Sequence, residues 1–171
     1  FQLEYNALAE DKLITRFPGK EVFDIDGIII LTSVIVDNSN IVKKSDLEKI
    51  WGDIPVVSVG QKVKGVPSLL IKTDDSMKKL VDHLVLEHKY KKFLFINGAK
   101  KHPDAINRQA VFKKAIESHK SSFPDLTYVC KEGNFTAVSA IQVMEQYMNE
   151  KKESPDVVVC ANDNMALGVY K

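Results

Sequence analysis

Apolar residues along this chain follow two patterns that take turns. The first is a short apolar-rich run: Ile28 to Leu31, Ile54 to Val59, Val66 to Ile71, Phe93 to Ile96, Leu126 to Cys130 and Val157 to Ala161. Runs without polar alternation predict strands buried on both faces, as in a parallel sheet. The second pattern spaces apolar residues three and four apart and predicts helices. It is seen in Met77, Leu80, Val81, Leu84 and Val85, and in Val111, Phe112, Ala115 and Ile116 behind Pro103-Asp104. It returns in Ala137, Ala140, Ile141, Met144 and Met148, and again from Met165 onward. Phe1 to Phe17 is also helix-like, up to the break at Pro18-Gly19. Ser45-Asp46-Leu47-Glu48 has the form of a capping box with Ser45 as N-cap, and its short helix ends near Trp51-Gly52. Asp37-Asn38-Ser39-Asn40 reads as a loop.

Strand and helix units joined by short polar links give an α/β fold with a parallel sheet covered on both faces. The units form two series, 1–73 and 74–171, which predicts two Rossmann-like lobes. The chain starts at Phe1 and stops at Lys171 inside a helical segment, so it reads as a fragment truncated at both ends. In open α/β sheets ligands bind at the carboxyl ends of the strands. Two such lobes joined by a crossover would form a cleft between their strand ends.

Composition narrows the functions. The chain has 171 residues, 44% hydrophobic and 27% charged, and a net charge of +1. Nothing in that balance points to nucleic-acid or membrane contact. No apolar run approaches the roughly 20 residues of a membrane span. Its two cysteines, Cys130 and Cys160, each sit on a predicted strand and could approach if those strands are neighbours. Reduced core thiols are the plainer reading, and they favour a reducing, cytoplasmic setting. No Ser-His-Asp set, Gly-rich phosphate loop or Cys/His metal cluster is present, so no cofactor or metal is expected. His83, His88 and His119 read as helix residues.

Candidate ligand contacts lie where predicted strands end. After Val157 to Ala161 come Asn162, Asp163 and Asn164, then a helix start. Asn162 leaves the strand first, and its amide offers both donor and acceptor to a polyol or nucleoside. Asp163 is the better N-cap candidate, with a lesser claim as a ligand contact. Arg108 precedes Val111, Phe112 and Ala115 by three, four and seven residues, which puts it on their inward-facing stripe at the cleft edge. Its planar fork suits hydroxyls or a carboxylate. His102 could reach a ligand or could order its loop. Thr32 and Ser33 could supply hydroxyls from the first lobe, or form an ordinary strand-end turn. Asp74, with Asp75, is either a contact at the crossover or a helix cap. Trp51 and Phe135 could stack on a ligand, but packing at a lobe edge is the plainer role.

Several segments together resemble a known family. Ile54-Pro-Val-Val-Ser-Val-Gly60, His83-Leu84 followed by the strand Lys92 to Asn97, Arg108, and Ala161-Asn-Asp-Asn-Met-Ala-Leu-Gly168 are similar to the sensor domains of LacI/GalR-type proteins. Asp26-Gly27, Gly65-Val66-Pro67-Ser68, His102-Pro103-Asp104-Ala105 and Gly133-Asn134-Phe135-Thr136 resemble the subgroup fused to sensor kinases and diguanylate cyclases. The resemblance implies the periplasmic-binding-protein type I fold, with Arg108 as the family's ligand arginine. At the lobe crossover this chain has Lys72-Thr73 and Ser76 where the family usually has an Asp-Asn pair and a glycine, so the acidic pair Asp74-Asp75 is either a substitute for that contact or only a helix cap. The function implied is non-catalytic sensing of a small polar ligand, sugar-like or nucleoside-like, in the inter-lobe cleft. A homodimer and an output domain outside this stretch go with it. The alternative in the same class is the effector-binding domain of a LacI-type transcriptional repressor.

The rival from another class is a haloacid-dehalogenase-like phosphatase using Asp24 and Asp26 of Phe23-Asp24-Ile25-Asp26-Gly27. That chemistry needs its aspartates at the carboxyl end of a buried strand. Here the apolar run, Ile28 to Leu31, comes after them.

Overall fold

Each apolar run with described residues contains a strand. In a computed structural model, the described residues are 26–32, 44–45, 48, 52–71, 74–151 and 153–170. The chain divides into two units, Phe1–Ile71 and Lys72–Lys171. The expected helix at Phe1 to Phe17, the loop at Asp37 to Asn40, and Asp24, Ser33 and Trp51 lie outside the described residues.

In the first unit, β1 (Ile28–Leu31), β2 (Val56–Val59) and β3 (Ser68–Leu69) form a parallel sheet in that order. Ile28 is in register with Val56, and Ser58 with Ser68. Ile30 and Val63 are buried together, with Val56 and Val66 packed on them. Hydroxyls hold the loop that follows β2. Thr32 Oγ1 donates to the Val59 carbonyl (3.0 Å) and accepts from the Gln61 N–H (2.9 Å). Ser58 Oγ donates to Ser68 Oγ (2.6 Å). Ser45 is not the N-cap expected of it, because Lys44 and Ser45 are both already helical.

In the second unit strands and helices alternate: α1 (Asp74–Leu86), β4 (Lys92–Asn97), α2 (Pro103–His119), β5 (Thr127–Glu132), α3 (Ala137–Lys151), β6 (Val157–Cys160) and α4 (Asp163–Tyr170). All three strands are parallel, in the order β5-β4-β6. The step from β4 through α2 to β5 runs one way, and the step from β5 through α3 to β6 runs back past β4. Right-handed crossovers in opposite directions put α2 and α3 on opposite faces. Accordingly α1 packs with α2, and α3 with α4.

The central strand therefore needs apolar side chains on both faces. Phe93, Leu94, Phe95 and Ile96 are at most 1% exposed. One face meets Val81, Val85, Phe112 and Ile116 of α1 and α2, and the opposite helices contribute Ala140, Val143, Tyr147 and Met165 to the same core. Phe95 and Phe112 stack with centroids 4.6 Å apart, an arrangement adding about 1 kcal/mol beyond burial. Cys130 and Cys160 are free thiols. They lie on β5 and β6, with β4 between them, two strand spacings or about 10 Å apart. The approach that neighbouring strands would have allowed does not occur. Burial pushes both thiols up, Cys160 to about 11.

At the amino ends of the strands, one Asp156 carboxylate oxygen accepts the N–H groups of Lys91 and Lys92, both at 2.8 Å. These backbone bonds hold the carboxyl below its ordinary value. A carboxyl lowered in the folded state stabilises fully above its unfolded value of about 3.9, and that contribution disappears as pH falls. Asp156→Asn is therefore expected to lower stability at pH 7 and to flatten the loss of stability below about pH 4, as measured by urea unfolding across pH.

Where α3 and α4 touch, a Cβ on Gly168 would sit 2.4 Å from the Ala137 carbonyl oxygen and 2.8 Å from its Cα. Both are backbone atoms, so the helices would have to part. Gly168→Ala should cost about 1–3 kcal/mol in urea unfolding, despite the better helix propensity of alanine.

Candidate functional site

The carboxyl ends of β4, β5 and β6 form one rim. Each strand runs into a short loop and then a helix, and the three loops meet at Phe135 in the β5–α3 connection. Phe135 has a left-handed backbone, φ 58°, which costs a non-glycine residue roughly 1–2 kcal/mol. The surrounding contacts hold it there. Its ring stands directly over Gly98 of the β4–α2 loop, where a Cβ would fall 2.0 Å from the ring Cζ. The His102 ring meets the Phe135 ring edge-on, with centroids 4.9 Å apart. The Phe135 carbonyl accepts from Asn162 Nδ2 (3.0 Å) and Asn164 Nδ2 (3.3 Å), both beyond β6.

Asn162 has a second role. Its Oδ1 accepts the Met165 N–H at 2.9 Å, the N-cap bond of α4. The expected order of the pair is thus reversed: Asn162 is the cap, and Asp163 is the first helical residue, exposed, with its Oδ1 accepting the Asn164 N–H. The reason lies in the amide. It donates to Phe135 and accepts from Met165 at once, whereas a carboxylate has no donor.

Arg108 braces the same rim from α2. Its Nη1 donates to the Ala161 carbonyl at the end of β6, and Nη2 lies 3.8 Å from Asp104 Oδ2. Asp104 partly offsets its charge. The Arg108 side chain is 28% exposed, so it also faces solvent at the rim. His102 is buried and is the N-cap of α2, its Nδ1 accepting the Asp104 N–H at 3.2 Å ahead of Pro103. It orders its loop.

Sequence reasoning missed Asn97, which had marked only the end of a strand. It is 6% exposed. Its Nδ2 donates to Gln109 Oε1 at 2.7 Å, and its Oδ1 is buried without a partner among the described residues. The sequence marks Phe135 only as an aromatic able to stack on a ligand or pack at a lobe edge. Its place as the junction of three loops follows from a backbone conformation that composition does not announce.

The remaining candidates lie elsewhere. Thr32 is fully buried, and its hydroxyl serves Val59 and Gln61. Asp74 is the first residue of α1. Asp26 lies before β1, at that strand's amino end, and so on the wrong side for phosphoryl chemistry. His88 lies beyond the end of α1, in the turn before β4, not within a helix. Among the described residues no group of three or more His, Cys, Asp and Glu could hold a metal ion. None of their helices is long and apolar enough to cross a membrane. An open apolar groove runs along β6 between Leu80, Leu84 and Ala166, and it reaches the rim at Asn162 and Asp163.

A parallel α/β unit with a preformed polar rim at its strand ends has the architecture of a ligand-binding lobe. Residues 74–171 match the family model described as a periplasmic binding protein domain, and the chain belongs to that family. It is 25% identical over 150 residues to the HTH-type transcriptional repressor PurR of Vibrio atlanticus (strain LGP32), covering 85% of this chain and 41% of that protein. Its fold is similar to a LacI transcriptional regulator from a Rhodococcus species, with a TM-score of 0.67 and 23% identity over 86% of this chain and 51% of that one. It is also similar to the Cra transcriptional dual regulator of Pseudomonas putida in complex with fructose 1-phosphate, with a TM-score of 0.67 and 15% identity over 85% and 51% of the two chains. The resemblance to LacI/GalR-type domains and the α/β fold with parallel sheets in two sets agree with these matches. The chain spans about half the length of the relatives it matches.

If Asn162 both caps α4 and ties it to Phe135, Asn162→Ala should cost about 1–2 kcal/mol in urea unfolding. Asp163→Ala should cost about 0.5 kcal/mol or less.

Proposed function

We propose that this chain is the effector-binding part of a LacI-type transcriptional regulator. It takes a small polar ligand, sugar-like or nucleoside-like, and binds it without chemical conversion. The observation that carries this reading is the family match over 74–171, the same residues that form the rim around Phe135. It is supported by the curated relative, a transcriptional repressor, and by a similar structure holding fructose 1-phosphate. These relatives favour a DNA-binding output over the sensor-kinase or cyclase output that the subgroup resemblance implies. A cytoplasmic location and a homodimer accompany the proposal.

In this reading Arg108 and Asn162 are the principal contacts, with Asp163 and His102 beside them. Arg108 offers a planar set of donors held in place by Ala161 and Asp104. A ligand that prefers one of two arrangements of the regulator shifts the population toward it, and DNA affinity changes accordingly.

The test is calorimetry of the full-length regulator against sugars, sugar phosphates and nucleosides. One of these classes is expected to bind, and Arg108→Ala should weaken it by roughly 10- to 100-fold, the loss of a charge-assisted hydrogen bond. A ligand that bound folded Arg108→Ala as tightly as the native protein would overturn this site.

A further inference from the structure

Opposite the rim, near the amino end of β4, two imidazoles meet on the surface. His83 lies in the last turn of α1 and His88 in the turn that follows. Their Nε2 atoms are 3.0 Å apart. The backbone fixes this approach. The N–H groups of Glu87 (2.9 Å) and His88 (3.4 Å) both donate to the His83 carbonyl, and Tyr90 N–H donates to the Leu84 carbonyl (3.2 Å). Lys89 turns the chain with a left-handed φ of 60°. The His88 ring also stacks on Tyr90, with centroids 5.2 Å apart and planes 9° from parallel.

The ring positions carry more than the nitrogen contact. With one Nε2 protonated the pair shares a hydrogen bond, bent away from the in-line geometry that would place the centroids about 5.3 Å apart. The centroids are 4.7 Å apart, with the planes at 85°. Two rings aimed at a common point about 2.0–2.1 Å from each nitrogen, the distance of a metal–imidazole bond, would give about 4.7 Å. Nitrogens 3.0 Å apart around such a point subtend about 90–95°, the angle of neighbouring positions in a square-planar or octahedral complex.

We propose that His83 and His88 form a two-imidazole site for a divalent transition-metal ion of the Ni2+/Cu2+ class. Both nitrogens offer their lone pairs to the ion as neutral rings with the ring proton on Nδ1. Among the described residues no third His, Cys, Asp or Glu completes a cluster. Water fills the remaining positions, and the ion exchanges readily. Binding pins the turn after α1 to the helix end and so stabilises the folded unit by mass action.

The test is calorimetric titration of the untagged chain with Ni2+ at neutral pH. One ion per chain is expected, together with a higher melting temperature. Removing a ligand costs at least what removing its supporting partner does, so His83→Gln or His88→Gln should each weaken binding roughly tenfold or more. His119→Gln, at a histidine paired instead with Asp82 (2.7 Å), should bind as the native chain does. Glutamine keeps hydrogen-bonding capacity, so folding is not at issue if circular dichroism is unchanged. Absence of Ni2+ uptake by the native chain, or uptake unaltered in both His83→Gln and His88→Gln, would overturn the proposal.

Discussion

The rim of the second unit depends on one residue held in an unfavourable backbone conformation. Phe135 adopts φ 58° because its ring and its carbonyl are fixed by different loops. The ring needs the bare backbone of Gly98 beneath it and His102 beside it. The carbonyl takes the side-chain amides of Asn162 and Asn164. Strain of roughly 1–2 kcal/mol is offset by two hydrogen bonds and a ring contact, each on the order of 1 kcal/mol. The junction adds to bonds that also cross the rim, from the Gly133 N–H to the Asn97 carbonyl (2.9 Å) and from Arg108 to the Ala161 carbonyl. It holds His102 and Asn162, and Arg108 is held beside them by Ala161 and Asp104.

The sheet beneath supplies the rigidity. β4 is buried on both faces, and the unit's apolar core gathers on it. Its amino end is tied to β6 by the Asp156 carboxylate, and its carboxyl end runs into the loop beneath Phe135. A binding surface on strand ends inherits that order, which is why polar groups there can be pre-placed. Arg108 illustrates the point: its guanidinium already bonds the end of β6, so little rotamer freedom remains to be lost when a ligand arrives.

The architecture was largely legible in the sequence, because continuous apolar runs and 3.6-residue periodicity act locally. Phe93 to Ile96 could hardly be anything but a buried strand. The site was legible only in outline. Asn162 and Asp163 are both good caps in isolation, and the choice was made by a carbonyl 27 residues away in sequence. Ser45 had the spacing of a capping box, but its neighbour Lys44 is already helical. Thr32 sits at a strand end as expected, yet its hydroxyl is taken up by Gln61 and Val59, a contact set by how the next loop folds back. Cys130 and Cys160 were separated by strand order, which periodicity does not encode. Except at Ser45, the deciding partner is distant in the chain.

Phe135 ties the β4–α2 loop, by its ring, to the residues beyond β6, by its carbonyl. Native-state hydrogen exchange on Phe135→Ala tests this most directly, since alanine keeps the backbone strain and removes only the ring. The amides to follow are Asp104, capped by His102, and Met165, capped by Asn162. Both amides should lose protection together, although they lie in different loops. Faster exchange at Asp104 alone, with Met165 as protected as in the native chain, would contradict it.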